Sequence, residues 1–218
     1  MKIERLPLFP LSAVLMPGAA LPLHIFEPRY RLMMKHVLDG ERRFGVLLYR
    51  ETPGDLDASV HAHEVGTIAE VTDLVPLQDG LMNVSTTGRQ RFRVTRFYHD
   101  RPYLTGDVEL LTESFEPSQR LRALHDEVRR LSLRYVTTVL TLNNEQATQV
   151  RLPSDPVQLS FKVAGLLVSM KPSEAQHLLE ASDVEWRLSA EIIVLRRELV
   201  ILHQMSRMPD PAGRPCPN

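Results

Sequence analysis

The spacing of apolar residues in this chain changes once, near residue 115, and that change constrains the fold more than any single motif. From Leu6 to about Leu111 the apolar runs are short and broken by Gly, Pro and Asp, a rhythm that suits strands and turns. Strands are expected at Phe44–Tyr49, Val65–Val71, Leu81–Thr86, Phe92–Tyr98 and Tyr103–Leu110, with Asp79-Gly80 as a hairpin turn. Strands this closely spaced imply a barrel or a sandwich. One helix interrupts them. Pro28 stands where a first helical residue belongs, Tyr30, Met33, Met34, Val37 and Leu38 follow at helical spacing, and Gly40 closes the segment.

Beyond Glu116 the period becomes helical. Leu121, Leu124, Val128, Leu131 and Tyr135 form one stripe of a long helix running toward Leu142. Asp155-Pro156 opens a second helix, apolar on nearly every side as far as Met170, which implies a central position; Pro172 is expected to end it. Ser182, followed three residues later by Glu185, reads as a capping box, so the last helix begins near Asp183. Its Leu188, Ile192, Leu195, Leu199 and Leu202 alternate steps of four and three over only about two heptads, which favours packing within the chain over a coiled coil. The expected organisation is α+β: a β domain over residues 1–115, a helical bundle over 116–206, and a disordered proline-rich tail over 207–218.

A formal net charge of -1 leaves no global basic field, so nucleic acid is a disfavoured partner. Cys216 is the one cysteine and lies in the tail, so no intramolecular disulfide forms and a reducing compartment, the cytoplasm, is expected. Pro7, Pro10 and Pro17 break any signal-peptide core, and no run approaches the roughly 18 apolar residues of a membrane span.

Catalytic signatures are missing. Lysine occurs only at positions 2, 35, 162 and 171, never after glycine, so there is no phosphate-cradling loop. No Gly-x-Ser-x-Gly elbow or His-Glu-x-x-His helix occurs, and the tail cannot hold Cys216 beside a base. No enzyme activity, cofactor or metal is expected. His61 and His63 alternate near Glu64, but the segment from Thr52 to His63 reads as a loop, and a lone pair makes a poor metal site, so they are read as solvated histidines. Arg89, Arg91 and Arg93 line one face of a strand opposite Phe92 and Val94. Near-neutral total charge favours a solvated outer face over a phosphate-binding stripe.

The opening Leu6-Pro-Leu-Phe-Pro-Leu11, then Met16-Pro-Gly18, then Leu21-Pro-Leu-His-Ile-Phe-Glu-Pro-Arg-Tyr-Arg-Leu-Met33, resembles the start of the N-terminal domain of Lon protease. Gly66-Thr-Ile-Ala69, Leu77 with Asp79-Gly80, Gly88-Arg-Gln-Arg-Phe-Arg93 and Pro102-Tyr-Leu104 follow in the family's order, and Asp155-Pro156, Leu178-Leu179 and Asp183-Val-Glu-Trp-Arg-Leu188 resemble its end. The resemblance runs from about residue 3 to 205. It implies a PUA-like β-barrel with a helical bundle behind it, and a stand-alone module without ATPase or peptidase that recognises exposed apolar segments of client or partner proteins. RNA binding through Arg89, Arg91 and Arg93 is the alternative, since PUA-like folds include RNA readers. Many of the matching residues have structural duties: Pro28 starts a helix, Gly80 makes a turn, and Phe26 and Tyr30 are expected to fill the core. Recognition is assigned to the N-terminal apolar segment, chiefly Met16, Phe26 and Met33, since methionine adapts to varied partners, with core filling the competing reading for Met16 and the favoured one for Met33 and Met34.

Overall fold

The computed structural model describes residues 1–50, 61–143, 145, 150–167 and 170–206. Six strands come first: β1 (Lys2–Leu11), β2 (Ala20–Ile25), β3 (Arg43–Tyr49), β4 (Ala62–Pro76), β5 (Met82–Tyr98) and β6 (Thr105–Leu110). Helix α1 (Pro28–Asp39) lies between β2 and β3, and α2 (Gln119–Leu142), α3 (Pro156–Leu166), α4 (Pro172–Glu180) and α5 (Val184–Met205) follow β6. The fold is α+β with a mixed sheet.

Two long strands organise the sheet. β5 pairs with β2 through residues 82–87 and with β6 through residues 92–98, while β4 runs beside both halves. Register shifts between Thr67 and Ala69 and between Val71 and Asp73 mark the bends. An extra residue on one strand increases local twist and redirects the ladder. β1 lies parallel to β3 and antiparallel to β6, so the pairings run in a circuit through β1, β3, β4, β5 and β6, with β2 attached outside on β5. Leu8, Leu47, Ile68, Phe92 and Val108 fill the space within that circuit. Close approach there requires glycine: a Cβ on Gly45 would fall 2.6 Å from the Phe92 ring.

Both β1 and β2 lie outside the strands expected from the sequence, because proline interrupts their alternation. Conversely, the expected pair Leu81–Thr86 and Phe92–Tyr98 is one continuous strand. Asp79 and Gly80 do form the β4–β5 turn, both with positive φ (58° and 71°), as a hairpin matched to right-handed twist demands. α1 covers a second apolar cluster, in which its Tyr30, Met33, Met34 and Val37 meet Phe9, Ile25 and Phe44.

The four C-terminal helices enclose a third cluster. Leu188, Ile192 and Leu195 of α5 are buried in it and Leu199 and Leu202 pack against it, so the heptad-like stripe faces the chain's own core. α3 ends at Leu166 rather than Met170, and Pro172 opens α4 instead of only ending a helix; a proline suits a first helical turn, whose N–H groups have no intrahelical acceptor. The cap of α5 is Asp183, whose carboxylate accepts from the Glu185 and Trp186 amides at 2.8 and 3.3 Å. Ser182 and Glu185 make no capping box, since the Glu185 side chain instead accepts from Ser118 Oγ at 2.6 Å. The expected disordered tail at 207–218, with Cys216, lies outside the described residues, as does most of the expected loop beginning at Thr52.

Candidate functional site

An open cleft of about 340 Å³ lies between the end of β1, the end of β2 and the first turn of α1. Its floor is aromatic and fixed. Phe9 packs on Tyr30 with ring centroids 4.2 Å apart and on Phe44 at 6.1 Å. Leu11, Leu23 and Ile25 complete the apolar wall. Two aromatic side chains stand at the rim, Phe26 at 59% exposure and Tyr49 at 46%.

Local sequence explains why Phe26 is outside. It precedes the N-cap residue Glu27, the position from which an apolar side chain ordinarily packs down on the fourth helical residue. That residue is Arg31, so no apolar partner awaits it. Phe26 lies instead beside His24, nearly parallel at 24° with centroids 6.1 Å apart, and His24 Nδ1 is 2.7 Å from Asn83 Oδ1. Glu27 makes no side-chain cap; its carboxylate pairs with Arg29 at 2.9 Å, and the Arg29 guanidinium lies 4.6 Å over the Tyr30 ring. The rim charges are thus mutually neutralised, and the cleft presents apolar surface.

The residues expected to form the recognition surface are divided. Phe26 was expected in the core and is instead exposed beside the cleft. Met16 and Met33 have the opposite fate: at 2% and 0% exposure they are core residues, Met16 among the C-terminal helices and Met33 beneath α1. Neither offers a surface. Leu23 and His24 lie in the family-like run and Tyr49 ends an expected strand, but nothing marks them as site residues, because the cleft is assembled from ends of elements far apart in the chain.

The basic stripe is broken as well. Arg89 is exposed and bonds Glu70 at 3.1 Å, and Arg93 is exposed, but Arg91 is 2% exposed. Its guanidinium reaches Glu113 and donates to the carbonyls of Leu179 and Ala181, the latter at 2.9 Å. Glu113 also accepts from Arg187 at 3.1 Å, and Arg187 lies 4.4 Å over the Phe161 ring. Burial lowers the Arg91 pKa from its ordinary value, and the Glu113 charge opposes that shift. This relay joins the sheet to α4 and α5 and is closed to phosphate.

Deeper in the same region, Ser160 Oγ donates to Glu191 at 2.6 Å and accepts from Arg187 Nε at 3.2 Å. Glu191 is fully buried, and burial pushes its carboxyl well above the usual carboxylate range against the opposing Ser160 hydrogen bond and Arg187 charge. His63 begins not in a loop but within β4, where Nδ1 is 3.2 Å from Glu180. Among the described residues no group of three or more His, Cys, Asp or Glu side chains is arranged to hold a metal. No helix among them is long and apolar enough to cross a membrane.

Comparison with known proteins gives one consistent family. The model of the ATP-dependent protease La (LON) substrate-binding domain matches residues 5–197. A Lon protease of Koribacter versatilis is 30% identical over 91% of this chain, and one of Methylocella silvestris is 25% identical over 88%. The chain spans about a quarter of the length of these relatives, 24% in each case. Among solved structures, a Lon N-terminal domain protein from Xanthomonas campestris superposes with a TM-score of 0.63 at 24% identity, covering 95% of this chain and all of that one. The N-terminal domain of a Mycobacterium avium complex Lon protease gives 0.65 at 18% identity, covering 88% of this chain and 98% of that one.

Proposed function

The chain belongs to the Lon substrate-binding domain family, and from that premise we propose that it recognises exposed apolar segments of client or partner proteins through the cleft beside Phe26, without catalysing a reaction. The observation that carries this reading is the pairing of a fixed aromatic floor with two exposed aromatic rims, Phe26 and Tyr49. Aromatic side chains supply much apolar contact at small entropic cost, which is why they anchor protein interfaces. In the same reading the pairing circuit is a PUA-like barrel spanning residues 1–115, the helices over 116–206 form its supporting bundle, and the protein acts in the cytoplasm.

The family's substrate-binding role supports this assignment. RNA recognition loses its motivating feature, because Arg91 is held inside the protein.

Fluorescence anisotropy with a labelled apolar peptide and its polar scramble tests the proposal. The apolar peptide should bind the intact chain in preference to the scramble. Phe26→Ser and Tyr49→Ser should each weaken binding roughly five- to thirtyfold, the loss of about 1–2 kcal/mol expected of an interface aromatic, while melting temperature stays near that of the parent. Unchanged affinity in both variants would reject the cleft as the binding surface.

A further inference from the structure

A second groove of about 540 Å³ runs along the outer side of α1, between the helix and the β4–β5 hairpin. Pro28, Leu32 and Leu38 line the helix side and Met82 the sheet side. Leu32 and the neighbouring hairpin residue Leu77 are 39% and 40% exposed. Two cations, Arg31 and Lys35, stand in this groove, one helical turn apart and therefore on the same face of α1.

Many of the described cations are closed by a carboxylate, while others, among them Arg42, Arg93 and Lys162, are not. Arg5 closes on Asp100, Arg29 on Glu27, Arg43 and Arg89 on Glu70, and Arg197 on Glu174. Arg31 and Lys35 have no carboxylate partner among the described residues, even though Asp79 lies on the adjoining turn. The Arg31 guanidinium lies beside the turn at Gly80, where a Cβ would meet it. The first turn of α1 separates the two depressions. Phe26, Glu27 and Arg29 face the cleft described above, whereas Pro28 and Arg31 face the groove.

We propose that this groove binds acidic side chains lying next to the apolar stretch of a bound segment, so that the preferred ligand is an apolar sequence flanked by Asp or Glu. The inference rests on the recognition reading given above and specifies its substrate class. The apolar portion occupies the cleft at Phe26 and Tyr49. The chain then crosses the first turn of α1, and its carboxylates meet Arg31 and Lys35 over an apolar floor that also accepts the stems of acidic residues. Complementary charge at such a rim selects partners and speeds association, and its contribution falls as salt screens it.

The test uses two labelled peptides with the same apolar core, one followed by two aspartates and the other by two asparagines. At low salt the aspartate peptide should bind the intact chain roughly three- to tenfold more tightly, the size expected of exposed ion pairs. The preference should shrink at high salt and vanish in the double variant Arg31→Gln, Lys35→Gln, while the asparagine peptide binds that variant as it binds the parent. Equal affinity for both peptides, or a preference that survives the double substitution, would overturn the proposal and leave apolar recognition standing. Failure of both peptides to bind would overturn apolar recognition and this inference together. Circular dichroism and the asparagine peptide's affinity show that the double variant is folded.

Discussion

Single residues in this protein divide into those whose place follows from their chemistry and those whose place follows from their neighbours. Met33 at helical spacing within α1 is core, as its period with Tyr30, Met34 and Val37 allows. Phe26 is equally apolar but exposed, because the residue positioned to receive it is Arg31. Glu191 reverses the expectation for a charged residue: it is fully buried, and its Oε2 has no hydrogen-bond partner among the described residues. An ionised carboxylate is expensive there, so the neutral form is favoured. Unfolded, Glu191 titrates near its ordinary value of 4.5; folded, it keeps its proton to higher pH. The stability contributed by the protonated form is therefore complete below the unfolded value and is lost as pH rises through the folded one. Glu191→Gln, neutral throughout, removes that loss. Its melting temperature relative to the parent should climb between about pH 5 and about pH 8, and a constant difference across that range would show that Glu191 is ionised in the fold.

At the scale of elements, periodicity located what is local and missed what depends on tertiary contact. The α1, α2 and α5 helices carry clear apolar stripes, and Pro28 and Asp155-Pro156 mark the starts of α1 and α3. α4 escaped because Pro172 signals either an end or a beginning, and its nine residues are too few for a distinct period. The Ser182 capping box lost to Asp183 because Glu185 bonds Ser118 instead. The most informative error is β5. Alternation correctly sets Arg91 on the opposite side of the strand from Phe92, but at Arg91 that side is covered by the helical region, while Arg89 and Arg93 remain exposed. Arg91 and Arg187 then share Glu113, a contact made across 22 and 74 residues of sequence. Without Arg91, Glu113 keeps its pair with Arg187, but the carbonyls of Leu179 and Ala181 lose a buried donor. Arg91→Met should destabilise the protein by about 1–3 kcal/mol in urea unfolding, whereas Arg93→Met, exposed on the same strand, should stay within about 0.5 kcal/mol. Similar costs for both would mean that the relay does not join sheet to helices.

Over the whole molecule, the change of apolar period near residue 115 does correspond to the passage from sheet to helices, since β6 ends at Leu110 and α2 begins at Gln119. The family resemblance in the sequence agrees with the matched domain and with the superposed structures. The cleft was only partly legible: its segment was identified, but one of the three residues assigned to recognition, Phe26, lies on it. Burial by distant elements removed the other two, and the rim residue Tyr49 comes from the far end of β3. A cleft made where several elements end has no sequence period to reveal it. The most direct test is amide chemical-shift mapping of the intact 15N-labelled chain with a saturating apolar peptide. Recognition at the cleft predicts perturbations concentrated at Phe9–Ser12, Leu23–Tyr30 and Tyr49. Perturbations confined to α2 through α5, or none under conditions where the peptide binds other apolar-segment receptors, would contradict it.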